Sequence, residues 1–181
     1  MDNEALMNCI KQIFCEGFFL IWAADGEIDQ LELNKFIEVI DNRSRYFSSP
    51  YVRAALSDFC GTNCHNDPKL VLPNAILCVV PDLEDDPSVN NFLSVIKKVL
   101  NKIVKDFSMF SELLLDANIT DNSKRSILND LITLMREIAR ASGGFLGFNK
   151  VSDEEKGAFV LAMSALGFDK DLINQFLVDF K

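Results

Sequence analysis

The residues with the clearest capacity for chemistry are the carboxylates of one acidic turn, Asp25, Asp29 and Glu32. The segment Asp25-Gly-x-Ile-x-x-x-Glu32 matches the second half of an EF-hand calcium loop, with glycine at the sharp turn and glutamate at the bidentate position. The positions that would supply the early ligands are the apolar Ile21 and Ala23, so a self-contained EF-hand is not predicted. Two interpretations stay open: a cation site that shares carboxylates from elsewhere, or acids that only stabilise a helix start.

A second group of potential ligands lies in the segment Cys60-Gly-Thr-Asn-Cys64-His65-Asn-Asp67. These residue types bind zinc, but their spacing is not that of a standard zinc finger and no second ligand pair is nearby. His65 is the only histidine, and a cysteine adjacent to it in sequence rarely has the facing geometry of a nucleophile and its base. We therefore predict a loop without a metal and no catalytic residues.

Two further segments have simple structural interpretations. The glycine-rich loop 142–148 has no preceding strand and no Lys-Ser/Thr pair, so it does not predict nucleotide binding. Gly143 is expected to end a helix in left-handed geometry, with the aromatic residues that follow it packed on the core or exposed for a partner. The acidic run 82–86 precedes a helix start and is explained by the helix dipole and solvation.

The acidic turn belongs to a pattern that recurs late in the chain. Residues 21–32 align with 138–155 once 144–149 are omitted, and both second helices begin with a capping-box pattern, Asp29-x-x-Glu32 and Ser152-x-x-Glu155. The matched apolar positions upstream have helical spacing: Ile10, Phe14, Phe18 and Ile21 against Ile127, Leu131, Met135 and Ile138. Either a true duplication or a commonplace α-hairpin used twice explains the match.

These patterns predict an all-α fold. We expect a single helical domain over 1–181 with about seven to eight helices, a pseudo-twofold pair of helix–turn–helix units near 3–42 and 121–167, and an irregular middle at 43–86. The two units should bury their apolar faces against each other. The predicted helices are 3–24, 29–42, 50–60, 71–80, 87–116, 121–142, 152–167 and 169–180. The fifth has a plausible break near 106–111, and the fourth has an extended strand-like segment as its alternative.

Composition limits the classes of function. Nearly half of the 181 residues are hydrophobic and fifteen are phenylalanine, which is enough for a sizeable core. A net charge of −9 argues against nucleic acid and favours cations or basic protein segments as partners. The apolar run 13–24 contains Glu16 and Gly17 and is shorter than a membrane span, so a buried core helix is predicted. The five cysteines and the absence of a basic leader favour the cytoplasm, with peripheral contact to a membrane left open.

The two motifs together resemble the TerB-like, tellurite-resistance-associated family. The segments that carry the resemblance are Ala-Asp-Gly-Glu-Ile-Asp-x-x-Glu at 24–32 and Ala-Ser-Gly-Gly-Phe-Leu-Gly-Phe-x-x-x-Val-Ser-x-x-Glu at 141–155. The resemblance implies an all-helical pseudo-twofold domain, no established catalytic activity, a role in bacterial stress response, and acidic residues that bind a divalent metal. Two departures weaken a symmetric two-metal site, Ser142 in place of the aspartate and Lys150 in place of the glutamate of the first copy.

The function expected from sequence is therefore a non-catalytic helical module of a stress-response system. Its metal candidates, carried over from the resemblance, are Asp25, Asp29, Glu32 and Glu155, and their oxygen ligands would suit calcium or magnesium better than zinc. A protein partner is expected, although its identity and the oligomeric state are open. The alternatives are a metal-independent protein-interaction domain and, least favoured, a metal-dependent hydrolase.

Overall fold

The structure is a computed structural model that describes residues 3–24, 30–57, 92–141 and 151–178, with the backbone alone at 92–97. The described residues form eight helices and no strand, which confirms the all-α prediction. The helices are α1 Asn3–Trp22, α2 Gln30–Asp41, α3 Arg43–Tyr46, α4 Pro50–Ala55, α5 Phe92–Asp116, α6 Asp121–Ala139, α7 Asp153–Ala165 and α8 Lys170–Val178.

The helix bounds differ from the sequence prediction in three places. Helix α5 continues through 106–111 without the break that its length had suggested. The short α3 was not predicted, because four residues are too few for a periodic pattern. The predicted helix 71–80, like most of the irregular middle 43–86, lies outside the described residues.

Helix α1 is the centre of the core, and α6 is its closest neighbour. A Cβ atom added at Gly17 would lie 2.9 Å from Leu131 Cδ1 and 3.3 Å from Met135 Cγ, so the two helices approach more closely than a larger residue at 17 would allow. The predicted packing of the first helix on the helix at 121–142 is confirmed. The buried residues of α1 are Leu6, Ile10 and every residue from Ile13 to Trp22.

Asp130 on α6 fixes the turn that leads into α4. The Ser48 N–H donates to its Oδ1 at 3.0 Å and the Ser49 N–H donates to its Oδ2 at 2.8 Å. The residue before this turn, Phe47, places its ring edge-on against Phe14 of α1, with 5.5 Å between ring centroids. Asp130 therefore lies at the level of the middle of α1.

A second set of contacts gives the relative direction of α1 and α6. Phe36 of α2 stacks on Phe18 of α1 at 4.3 Å, and the neighbouring Lys35 lies 3.6 Å from the Glu137 carboxylate. Glu137 is thus nearer the C-terminal end of α1 than Asp130 is, so α1 and α6 run in the same direction. The turns that follow these helices lie outside the described residues, so their predicted placement at one end of the molecule stays a prediction, as does the twofold relation of the two units.

Helix α7 ends in a left-handed glycine cap. Gly167 has φ of 83°, its N–H donates to the Ser164 carbonyl at 3.1 Å, and the Phe168 N–H donates to the Met163 carbonyl at 3.0 Å. This pair of bonds is the Schellman arrangement, which satisfies carbonyls that the helix end would leave unbonded. The predicted cap at Gly143 lies outside the described residues.

We expect Gly167→Ala to lower the free energy of unfolding by on the order of 1 kcal/mol, because alanine is strained at positive φ. The matched control is Gly157→Ala in the middle of α7, where an added Cβ meets no atom within 4 Å. That change should raise stability by roughly 0.5–1 kcal/mol through helix propensity alone. Urea denaturation of both variants checks the prediction, which fails if the two shift stability in the same direction.

We expect Gly17→Val to destabilise the protein by roughly 1–3 kcal/mol, since its methyl groups would overlap Leu131 and Met135. Adding Leu131→Ala should remove part of the overlap. In a double-mutant cycle measured by denaturation, the double variant should therefore be more stable than the sum of the single effects predicts. Strictly additive effects would contradict the close packing of α1 on α6.

Candidate functional site

Glu155 is one of the two predicted metal ligands that the structure describes, and it closes a capping box. Its Oε2 accepts a hydrogen bond from the Ser152 N–H at 2.6 Å, and its own N–H donates to Ser152 Oγ at 3.0 Å. This geometry confirms the capping pattern predicted at the start of the second hairpin helix. A metal-binding role for Glu155 would have to coexist with the hydrogen bond to Ser152.

Glu32 occupies the corresponding place in the first hairpin. It is the third residue of α2, as Glu155 is the third residue of α7, and each is only 2% exposed. Asp25 and Asp29 lie outside the described residues, so the shared site of four carboxylates stays a prediction. Within the described ranges no group of three or more His, Cys, Asp or Glu side chains is close enough to hold a metal.

The other chemical candidates from the sequence also lie outside the described residues. They are the segment Cys60–Asp67 with its histidine, the acidic run 82–86 and the glycine-rich loop 142–148. The predictions made for them remain as they stand.

The structure contains one polar cluster that sequence reasoning did not identify, around the buried Glu16 of α1. Glu16 is 0% exposed, and its Oε1 accepts from Gln12 Nε2 at 3.0 Å and from Lys102 Nζ at 3.4 Å. Lys102 of α5 also binds Asp106 Oδ2 at 2.6 Å. The sequence did contain one indication of this cluster, because Glu16 is a single acid inside an apolar helical run. We interpreted it only as an argument against a membrane span.

Burial raises the pKa of Glu16 from its ordinary 4.5 to about 8. The hydrogen bond from Gln12 and the charge of Lys102 oppose this rise, whereas the neighbouring Asp106 carboxyl adds to it. The desolvation of a carboxylate costs more here than a single shared lysine recovers. Glu16 is therefore protonated at neutral pH and can donate a hydrogen bond.

Asp130 has a different kind of environment. Burial raises its pKa, but the Ser48 and Ser49 N–H groups and the Ser48 hydroxyl bind its ionised form and limit the rise. Because these bonds join the α4 turn to α6, we assign Asp130 a structural role.

Two cavities border α1. The smaller, of about 90 Å³, lies beside the Glu16 cluster and is lined by Cys9, Gln12, Ile13, Asp106, Met109, Phe110 and Leu113. The larger, of about 490 Å³, lies between the C-terminal end of α1, α5 and the start of α7, and is lined by Leu20, Ala24, Leu100, Asn101, Val104, Glu154, Gly157, Ala158 and Leu161. We call the larger one the α1–α5–α7 groove; its size is that of a ligand site and its walls are mainly apolar.

The comparisons with known proteins add no further identification. No family model, no curated protein and no solved structure matches this chain. The resemblance to the TerB-like family therefore depends on the two sequence motifs alone.

One described helix, α1, is long and apolar enough by length and composition to cross a membrane. In the structure its C-terminal half is enclosed by other helices, with Ile13 through Trp22 all buried. The packing is that of the core helix predicted from the sequence.

The pKa of Glu16 gives the stability a pH dependence. Its folded pKa of about 8 is above the unfolded value of 4.5, so the unfolded state binds fewer protons between these values. The stabilisation is complete below the unfolded pKa and is lost as the pH rises towards the folded pKa. We therefore expect the free energy of unfolding of the wild type to fall between about pH 5 and pH 8.

Glu16→Gln should remove most of this fall, because glutamine keeps the shape of the protonated acid and does not titrate. The measurement is urea denaturation of both proteins over this pH range. The difference between the two curves isolates Glu16 from Asp130, whose raised pKa acts in the same direction. Parallel curves for wild type and variant would refute the assignment.

Proposed function

We propose that this protein is a non-catalytic helical module of a bacterial stress-response system, similar to the TerB-like proteins of tellurite resistance. Two structural observations support the proposal in addition to the sequence motifs. The two glutamates of the motifs, Glu32 and Glu155, are buried at the same position of their helices. We propose that both motif turns lie at one end of the molecule, because α1 and α6, which precede them in the sequence, run in the same direction.

We further propose that this end binds a divalent cation through Asp25, Asp29, Glu32 and Glu155. Carboxylate oxygens without histidine or thiolate favour calcium or magnesium over zinc. A carboxylate offers about four acceptor positions, so the single bond from Ser152 is compatible with ligation by Glu155.

Thermal unfolding with and without millimolar calcium or magnesium tests the cation site. An ion at about ten times its Kd should stabilise the wild type by roughly 1.4 kcal/mol, because only the folded state holds the site. Asp25→Asn and the double variant Asp25→Asn/Glu32→Gln should lose the shift. Glu154→Gln, at the exposed neighbour of Glu155, is the matched control and should keep it. If neither calcium nor magnesium changes the melting temperature of the wild type, the proposed cation site is refuted.

The second candidate is a metal-independent protein-interaction domain, and the α1–α5–α7 groove favours it. Leu161 lines this groove and is 55% exposed, so a partner that entered the groove would contact it. A partner captured equally with and without chelator, and lost with Leu161→Glu, would support this function. Leu31→Glu on α2 is the matched control, because Leu31 is equally exposed but does not line the groove.

The remaining expectations have less structural support. Cys9 is a free thiol, in keeping with the proposed cytoplasmic location. A metal-dependent hydrolase would need an acid–base group beside the carboxylates, and the single histidine lies outside the described residues. We therefore propose no catalytic activity.

A further inference from the structure

The Glu16 cluster lies between α1 and α5 and contains two carboxylates but only one positively charged group. Glu16 belongs to α1, whereas Asp106 and Lys102 belong to α5, so two carboxylates share one ammonium group. Lys102 lies closer to Asp106, at 2.6 Å, than to Glu16 Oε1, at 3.4 Å. The pairing therefore satisfies Asp106 first and leaves Glu16 under-compensated in a fully buried position.

The environment of the second carboxylate oxygen of Glu16 favours a proton on this residue. Glu16 Oε2 is buried and receives no hydrogen bond from any N–H or O–H group. An ionised carboxylate with a buried, unpaired oxygen is unfavourable. If that oxygen carries a proton, it becomes a donor, and the nearest second carboxyl of the cluster is that of Asp106, because Lys102 Nζ lies 3.4 Å from Glu16 Oε1 and 2.6 Å from Asp106 Oδ2.

We propose that Glu16 and Asp106 share one proton and that the shared proton is a pH-sensitive latch between α1 and α5. With the proton bound, the pair and Lys102 form a compensated contact between the helices. Loss of the proton leaves two adjacent negative charges with one lysine, and their repulsion separates α5 from α1 at this level.

Several charged side chains on the helices packed against α1 have partners outside the cluster. From α4, Arg53 donates to the carbonyls of Phe47 and Ser48, and from α6, Asp130 accepts from Ser48 and Ser49. The ion pairs of α2 and α7 are also separate from the cluster: Lys35 with Glu38 and Glu137, and Lys156 with Asp153. On α1 itself the neighbouring side chain is Gln12, which does not titrate, and burial raises the pKa of the Cys9 thiol.

The latch has a direct structural consequence at the small cavity beside it. Gln12 and Asp106 form part of the cavity wall, and the half-exposed Met109 lies one helical turn further along α5. Separation of the helices would enlarge this cavity and expose the apolar residues behind Met109. The pH would thereby control access to an apolar surface that the folded protein otherwise covers.

Hydrogen exchange of the full-length protein, followed by mass spectrometry at about pH 6 and about pH 9.5, tests the latch. After correction for the chemical exchange rate, amides of α1 and of α5 around Asp106 should lose protection by about tenfold or more at the higher pH. Amides of α2, which does not contact the cluster, should keep their protection. Equal protection of the α5 amides at both pH values would overturn the proposal.

Three variants make the test specific. Glu16→Gln should abolish the pH response, because its amide donates to Asp106 at every pH. Asp106→Asn should also abolish the response, because a deprotonated Glu16 then has no second carboxylate to repel it and keeps Lys102 as its partner, and this variant remains informative if Glu16→Gln does not fold. Glu112→Gln, at an exposed acid of the same helix, should respond as the wild type does. A wild-type response in Glu16→Gln or in Asp106→Asn would refute the shared proton.

Discussion

The structure depends on the complete burial of the C-terminal half of α1. Ten consecutive residues from Ile13 to Trp22 are buried, so this helix must be covered on every side by other helices. Full burial of a large aliphatic or aromatic side chain contributes about 1.5–3 kcal/mol, and α1 supplies more of the large buried side chains than any other described helix. Gly17 makes this possible on the α6 side, because a larger residue would hold the two helices apart.

Two of the buried polar residues form hydrogen bonds that hold the first residues of neighbouring helices in place. Asp130 positions the start of α4 by accepting two backbone N–H groups, and Glu155 positions the start of α7 in the same way. Glu16 differs, because its contact is with another acid and a shared lysine rather than with backbone donors. Backbone N–H groups that bind a buried acid oppose the rise in pKa that burial causes, as at Asp130, whereas a second carboxyl beside a buried acid adds to that rise, as at Glu16.

The two proposals concern carboxylates in two different positions on their helices, at the N-terminus and in the middle. At the turns that follow α1 and α6, glutamates at helix N-termini are suited to keep a negative charge, which a cation could use. At the α1–α5 contact, the acid lies in the middle of a helix, where no free N–H group can compensate it. The same residue type thus serves different functions according to the backbone groups around it.

The sequence by itself determined the helices and the Ser152–Glu155 cap. Helical spacing of apolar residues depends only on the 3.6-residue period, and a capping box involves residues three positions apart, so both follow from local chemistry. The packing of α1 on α6 was also predictable, because two matched apolar faces need a partner. Only the tertiary structure decided the role of Glu16, since Lys102 and Asp106 come from a helix some 90 residues away. Asp130 was missed for the same reason, because the turn that it holds comes from a segment some 80 residues away.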